Sequence, residues 1–228
     1  MERFISDFDA YMKSVIVEAE DRAAGHLRTV NDYIILRRDT CGAKPTFSCL
    51  GLGLNIPNAV FDNPSMKSLI ENGADLIAIA NVSHSNISMM KVNTTFFFEI
   101  LKDMHSYRME RSRGLGGHNI LTAIMKEYHL DLQQALYWLS GYASRTISNF
   151  LANSVALPSW GEEIDRAIMV YIDRVARCVR GVDAWHYETK RYYGEDGLKV
   201  REQRKITLLP PTSGYITRDQ LELEIVVA

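Results

Sequence analysis

Ser106 and Glu110 lie four residues apart in Asp103-Met104-His105-Ser106-Tyr107-Arg108-Met109-Glu110. On a helix, positions i and i+4 are offset by about 400° of rotation, so this hydroxyl and carboxylate would stack on one face, a turn apart. Two hard oxygens placed this way suit Mg²⁺, with waters and substrate phosphates completing its octahedron. By itself such a pair is also common on a solvated helix face. A second set is Lys190-Arg191-Tyr192-Tyr193-Gly194, just after Trp185-His186-Tyr187, where Arg191 offers a fork of charged donors and Tyr192 a phenol to a phosphate oxygen. A third is Arg37-Arg38-Asp39-Thr40, a cluster of anion-binding donors. Taken singly, each reads better as a surface ion pair or as aromatic packing.

Helices must carry these groups, because helical periodicity dominates the chain. Phe4, Phe8, Tyr11, Met12, Val15 and Ile16 fall on one face of a 3.6-residue helix, with Asp7, Lys13 and Glu20 between them. The pattern predicts a second helix from about Leu27 to Arg38, which places Arg37 and Arg38 at its end. Pro45, Pro57 and Pro64 then divide residues 44 to 64 into short pieces. Asp131 with Gln134 forms a capping-box start for an apolar face of Leu132, Leu136, Leu139, Ile147, Phe150 and Leu151. Ser159 with Glu162 repeats that signal before Ile164, Ile168, Tyr171, Ile172, Val175 and Val179. Only at the end does the period change: Leu221, Leu223 and Ile225 alternate with Glu222 and Glu224, which predicts a short strand or a loose tail. No linker or repeat divides residues 1–228, so the expectation is a single all-α unit. Residues 82 to 102, rich in β-branched, Ser, Asn and aromatic residues without helical period, are an atypical insertion within it.

Composition narrows the function. The chain has 228 residues, 46% hydrophobic and 24% charged, which is globular rather than disordered. Its 26 Lys+Arg against 28 Asp+Glu provide no basic field for a nucleic-acid backbone. No apolar stretch approaches the roughly 20 residues of a membrane span. No signal-peptide pattern follows Met1. Cys41, Cys49 and Cys178 have neither a metal-site spacing nor a disulfide framework, so they read as cytosolic thiols filling small buried sites in a cytoplasmic protein.

The order of the motifs is more specific than any one of them. Leu36-Arg37-Arg38-Asp39-Thr40-Cys41-Gly42-Ala43-Lys44-Pro45 resembles a signature of fungal class I terpene synthases, notably the basidiomycete-type sesquiterpene cyclases. Ser106 to Glu110, followed by Gly117-His118-Asn119, resembles the second half of their Asn-Asp-x-x-Ser-x-x-x-Glu metal motif. Leu157 to Glu163 is similar to the loop before the family's last long helix. Val179 to Trp185 and Arg191 to Gly194 resemble its Arg-Gly-Asn-x-x-Trp and Arg-Tyr-Phe patterns. The resemblance spans about residues 3 to 211, apart from 82 to 102.

The resemblance implies a helical barrel that binds a prenyl diphosphate, farnesyl diphosphate for a sesquiterpene cyclase. Mg²⁺ and Arg side chains neutralise the diphosphate and draw it off, and the allylic cation cyclises in an apolar, aromatic pocket. Asn81, Ser106 and Glu110 would ligate Mg²⁺, and Arg191 and Tyr192 would hydrogen-bond the diphosphate. Arg37, or its neighbour Arg38, would be the diphosphate-sensing arginine. Trp185 is a candidate cation-facing ring, with a core tryptophan as the plainer reading.

The sequence departs from the family in two ways. No aspartate-rich motif precedes Arg37, since neither Asp7-Phe8-Asp9 nor Glu18-Ala19-Glu20-Asp21 fits it. The expected fold is therefore a partial class I terpene synthase barrel lacking its N-terminal helices, with the faces they cover exposed, repacked or buried against a partner. Second, the residue four before Ser106 is Lys102, whose ammonium cannot ligate a cation. Asn81 joined directly to Asp103 restores the motif in frame. The alternative register Asn81, Ser85 and Met89 ends on a thioether, too soft for Mg²⁺. Every Val codon begins GT and one Lys codon ends AG, so Val82 to Lys102 reads as a translated, unspliced intron and Met1 as an internal start. The chain as it stands is expected to have little or no cyclase activity. The rival expectations are a non-catalytic helical relic that binds a prenyl diphosphate or a partner chain, and a misassembled product that does not fold alone.

Overall fold

The structure, a computed structural model, describes residues 2–79, 119–203, 205–207 and 224–226. Helices α1 (Glu2–Ala24), α2 (Val30–Thr40), α3 (Ala43–Leu50), α4 (Asn58–Asp62) and α5 (Pro64–Ile79) come first. After the undescribed stretch follow α6 (Ile120–Tyr128), α7 (Leu132–Val155), α8 (Glu162–Glu188), α9 (Lys190–Tyr193) and α10 (Gly197–Gln203). Strands Lys205–Thr207 and Glu224–Val226 pair antiparallel, with Ile206 opposite Ile225, so the alternating tail forms a strand where it is described.

The prolines start helices as well as separating them. Pro45 sits in the first turn of α3, Pro57 is the N-cap of α4 and Pro64 opens α5, all places where a missing N–H costs nothing. Between α2 and α3 the chain reverses through Gly42 at φ +72°, a left-handed conformation that suits glycine. The Asp131 box forms in full, with Gln134 N–H donating to Asp131 Oδ1 at 2.8 Å and Asp131 N–H to Gln134 Oε1 at 3.0 Å. Before α8 the pairing differs from the expected Ser159–Glu162 box. Gly161 is the N-cap at φ +103°, and Asp165 reaches back to accept from the Ser159 hydroxyl (2.6 Å) and the Trp160 N–H (2.8 Å). Asp165 is one turn further in than Glu162, and a shorter acid there closes the loop.

Helix α5 is the hub: it packs on α2, α3, α4, α7 and α8. Two apolar clusters flank it. One joins Val30, Tyr33 and Ile34 of α2 to Ile120, Leu121 and Ile124 of α6, Leu136 and Leu139 of α7, and Tyr187, Tyr192 and Tyr193. The other joins Phe47, Phe61, Met66 and Leu69 to Phe150 and to the α8 stripe Ile168, Tyr171, Ile172, Val175 and Val179. The apolar stripes of α7 and α8 are thus inside. That of α1 is not: Phe8, Met12, Val15 and Ile16 are exposed, and α1 lies on α2 and α3 by its other side. The cysteines depart from the expectation of buried fillers, since Cys49 is exposed and Cys41 and Cys178 are half-buried.

Longer-range polar contacts lock these elements. Glu127 of α6 accepts the Val30 N–H at the start of α2 (2.6 Å), where a carboxylate complements the helix dipole. Arg174 of α8 donates to the carbonyls of Leu50 and Leu52, satisfying groups left over at the end of α3. Truncating fully buried Leu139 to Ala should destabilise the fold by about 2–5 kcal/mol. Asp131→Ala should lose only about 1 kcal/mol. Urea unfolding of the two variants checks this ranking.

Candidate functional site

The adjacent arginines of α2 take different partners, because consecutive helical residues are turned by about 100°. Arg38 faces α5. Its Nε donates to Asp75 Oδ1 (2.7 Å), its Nη2 to Asp75 Oδ2 (3.0 Å) and its Nη1 to Glu71 Oε2 (3.1 Å). From α7, the Tyr142 hydroxyl donates to Asp75 Oδ2 at 3.0 Å. Asp75 is 1% exposed, so this carboxylate is matched by a bidentate guanidinium and a phenol rather than by water. Burial pushes the Asp75 carboxyl up from its ordinary range, opposed by the hydrogen bonds from Arg38 and Tyr142. The bond to Asp75 holds the Arg38 guanidinium charged more firmly than usual. Burial, then the Asp75 charge, pushes the Tyr142 phenol up to about 12. Trp138 stacks on Tyr142 with ring centroids 5.7 Å apart, and Tyr128 stacks on Trp138 at 5.4 Å.

Arg37 faces α1 instead. Its Nη1 donates to Thr40 Oγ1 (3.2 Å) and lies 3.8 Å from the Glu18 carboxylate. A crevice between the end of α1 and α2 is lined by Glu18, Asp21, His26, Arg28, Tyr33 and Arg37. Within it Arg28 and Asp21 form an ion pair.

Arg191 and Tyr192 lie on α9, where the chain turns back at the end of α8. The Thr189 hydroxyl caps this short helix by accepting from the Arg191 N–H. Tyr192 is buried, its ring 5.1 Å from His186 and edge-on to Trp185 at 6.2 Å, while Tyr193 stacks on Tyr187 at 5.9 Å. The Arg191 side chain is exposed, its guanidinium 5.4 Å from the Tyr192 ring centroid. Trp185 is 48% exposed, so the plainer reading of it as a core tryptophan does not hold. The structure brings Tyr192 into the same apolar cluster as Tyr33 and Ile34 of α2, the helix that carries Arg37. Asn81, Ser106, Glu110 and the insertion 82–102 lie outside the described residues. Among the described residues, no group of three or more His, Cys, Asp or Glu side chains could hold a metal ion. Nor is any helix among them long and apolar enough to cross a membrane.

Sequence reasoning missed Asp75 and Tyr142. The available signal was a single charge inside the apolar run Ala74-Asp75-Leu76-Ile77-Ala78, which asks for a buried partner.

Residues 1–148 match the family model described as terpene synthase family 2, C-terminal metal binding. The chain is similar to the sesquiterpene synthase Agr8 of Cyclocybe aegerita, 42% identical over 98% of this chain and 57% of that protein. It is 34% identical to a delta(6)-protoilludene synthase of Armillaria gallica, over 91% of this chain and 54% of the relative. The chain therefore spans about half the length of the curated relatives it matches. Its fold is similar to the crystal structure of an α-eudesmol synthase, with TM-score 0.65 at 17% identity over 82% of this chain and 56% of that one. It is equally similar to a linalool/nerolidol synthase from Streptomyces clavuligerus, TM-score 0.65 at 17% identity over 81% and 58%.

Two outcomes follow from the buried triad. Arg38→Ala leaves the Asp75 carboxylate buried without its counter-ion and should lose about 3–5 kcal/mol, with Asp75→Asn in the same background recovering part of that loss. The second concerns alkaline pH. The folded state holds the Tyr142 proton more tightly than an ordinary tyrosine at 10.0 does. Stability from this group is thus fully present below about pH 10 and is lost as the pH rises toward 12. Denaturant titrations across that range should show the decline, and Tyr142→Phe should reduce it, leaving the part owed to Tyr171, whose phenol burial also pushes up.

Proposed function

The chain belongs to the terpene synthase family, and from that premise we propose that it carries the diphosphate-binding side of a Mg²⁺-dependent sesquiterpene cyclase acting on farnesyl diphosphate. The observation that carries this reading is the corner between α8 and α9. There a short capped helix presents the exposed Arg191 guanidinium beside Tyr192, on a core shared with the arginine-bearing helix α2. Arg191 supplies charged donors to a diphosphate oxygen, a hydrogen bond worth more than a neutral one. Tyr192, packed between His186 and Trp185, fixes where that guanidinium can reach. Arg37 takes the sensing role, because the fork of Arg38 is committed to Asp75. The half-exposed ring of Trp185 is the candidate surface for steadying an allylic cation.

Asn81, Ser106 and Glu110 are the residues proposed to hold Mg²⁺, which when bound supplies charge neutralisation of the departing diphosphate. Lys102 stands four residues before Ser106, where a cation opposes that binding. The chain as it stands is therefore proposed to bind a diphosphate and to turn over farnesyl diphosphate little or not at all. A cytoplasmic setting belongs to the same proposal.

The test is thermal melting with inorganic pyrophosphate, alongside an assay for diphosphate and hydrocarbon release from farnesyl diphosphate with Mg²⁺. Pyrophosphate should raise the melting temperature of the 228-residue chain without turnover. Arg191→Ala should weaken that binding roughly tenfold or more. Excising residues 82 to 102 should make the stabilisation Mg²⁺-dependent and sensitive to EDTA. No shift with pyrophosphate in either chain would overturn the diphosphate-binding reading, and turnover by the intact chain would overturn its impairment.

A further inference from the structure

Three aromatic rings connect the surface to the buried acid of α5. Tyr128, the last residue of α6, is 43% exposed. Trp138 of α7 stacks on it, with ring centroids 5.4 Å apart and planes 27° from parallel. One turn further along α7, Tyr142 stacks on Trp138 at 5.7 Å and 11°. Both separations fall in the range of offset stacking, where the faces of neighbouring rings overlap. The inner end of the row is a phenol with a proton acceptor, since the Tyr142 hydroxyl donates to Asp75 Oδ2 at 3.0 Å. Around that acid the single guanidinium of Arg38 meets two carboxylates, Asp75 and Glu71, so the cluster is net negative.

An electron leaves a ring more readily where negative charge lies close by in a low dielectric, because the charge attracts the hole left behind. A phenol gives up an electron only if its proton can leave too, since an oxidised phenol is a far stronger acid than the phenol itself. Asp75 is suited to take that proton, because burial pushes its carboxyl up from the ordinary range. With Asp75 neutral, Glu71 still faces the Arg38 guanidinium at 3.1 Å, so the cation keeps a counter-ion. We propose that Tyr128, Trp138 and Tyr142 form a one-electron relay, through which a diffusible one-electron oxidant at the surface draws its electron from Tyr142. Trp138 gives one electron to the oxidant across the ring of Tyr128 and becomes a radical cation, while the oxidant is reduced by one electron. An electron then passes from Tyr142 to Trp138 as the Tyr142 O–H bond breaks and its proton moves to Asp75 Oδ2. The products are the reduced oxidant, Trp138 restored, a neutral Tyr142 phenoxyl radical and a protonated Asp75. The relay is independent of diphosphate binding.

The test mixes the whole chain with tris(bipyridine)ruthenium(II) and persulfate, generates the trivalent ruthenium oxidant with a light flash and freezes the sample. Electron paramagnetic resonance then identifies the radical. The expected result is a tyrosyl signal that is lost in Tyr142→Phe and gives way there to a tryptophanyl signal. Trp138→Phe should lose the same tyrosyl signal, although Tyr142 and its acceptor remain. The chain has 11 tyrosines, so Tyr137→Phe, at a 57% exposed position of α7 outside the row, serves as the control and should leave the signal unchanged. A further measurement needs no variant: replacing water by D₂O should slow the appearance of the signal, because an O–H bond breaks in the step that forms it. A tyrosyl signal that survives Tyr142→Phe or Trp138→Phe, its absence from the parent chain, or equal rates in H₂O and D₂O would each overturn the relay.

Discussion

A carboxylate with 1% exposure sits in the last third of the helix on which five others pack, and the arrangement around Asp75 follows from that. Removing such a charge from water is unfavourable by several kcal/mol unless its lone pairs are met. Here three helices meet them together: α2 brings the two-pronged guanidinium of Arg38, α7 brings the Tyr142 hydroxyl, and α5 holds the acid. Hydrogen bonds of 2.7–3.0 Å with fork geometry tolerate little sliding, so the triad sets the register of α2, α5 and α7 more narrowly than apolar packing could.

That register reaches the proposed site by two routes. Along α2 the next residue back from Arg38 is Arg37. With Arg38 pinned against α5, the roughly 100° step of the helix turns Arg37 toward α1 and the Glu18 crevice. Across the core, Tyr33 and Ile34 of the same helix join the cluster that holds Tyr192 in place beside Arg191. The proposed site draws on two distant stretches of chain, α2 and the corner between α8 and α9, so it requires the intervening helices to be placed first.

The outer side of α1 obeys the opposite logic. Its polar and aromatic edge is tied to α2, α3 and the Phe61 ring, which leaves five apolar side chains to water. At two helix ends, by contrast, leftover backbone groups find partners within the chain: Arg174 meets the end of α3 and Glu127 the start of α2.

The long helices and the Asp131–Gln134 start were legible in the sequence, because these are local. A 3.6-residue period gives the phase of each stripe. The Asp131–Gln134 box and the prolines that open α4 and α5 act within a few residues of chain. The position of Arg191 and Tyr192 just beyond a long apolar helix is likewise written along the chain. Everything that depends on which surfaces meet needed the fold. Periodicity could not say that Arg38 is committed while Arg37 turns to Glu18, nor that the α1 stripe faces outward while the equally regular stripes of α7 and α8 face in. It also could not say that Trp185 is half open, or that Asp165 rather than Glu162 closes the turn before α8. A period records the angle of a side chain about its own axis. Burial, pairing and proton affinity belong to whatever stands opposite, and only the packing of one helix on another supplies that.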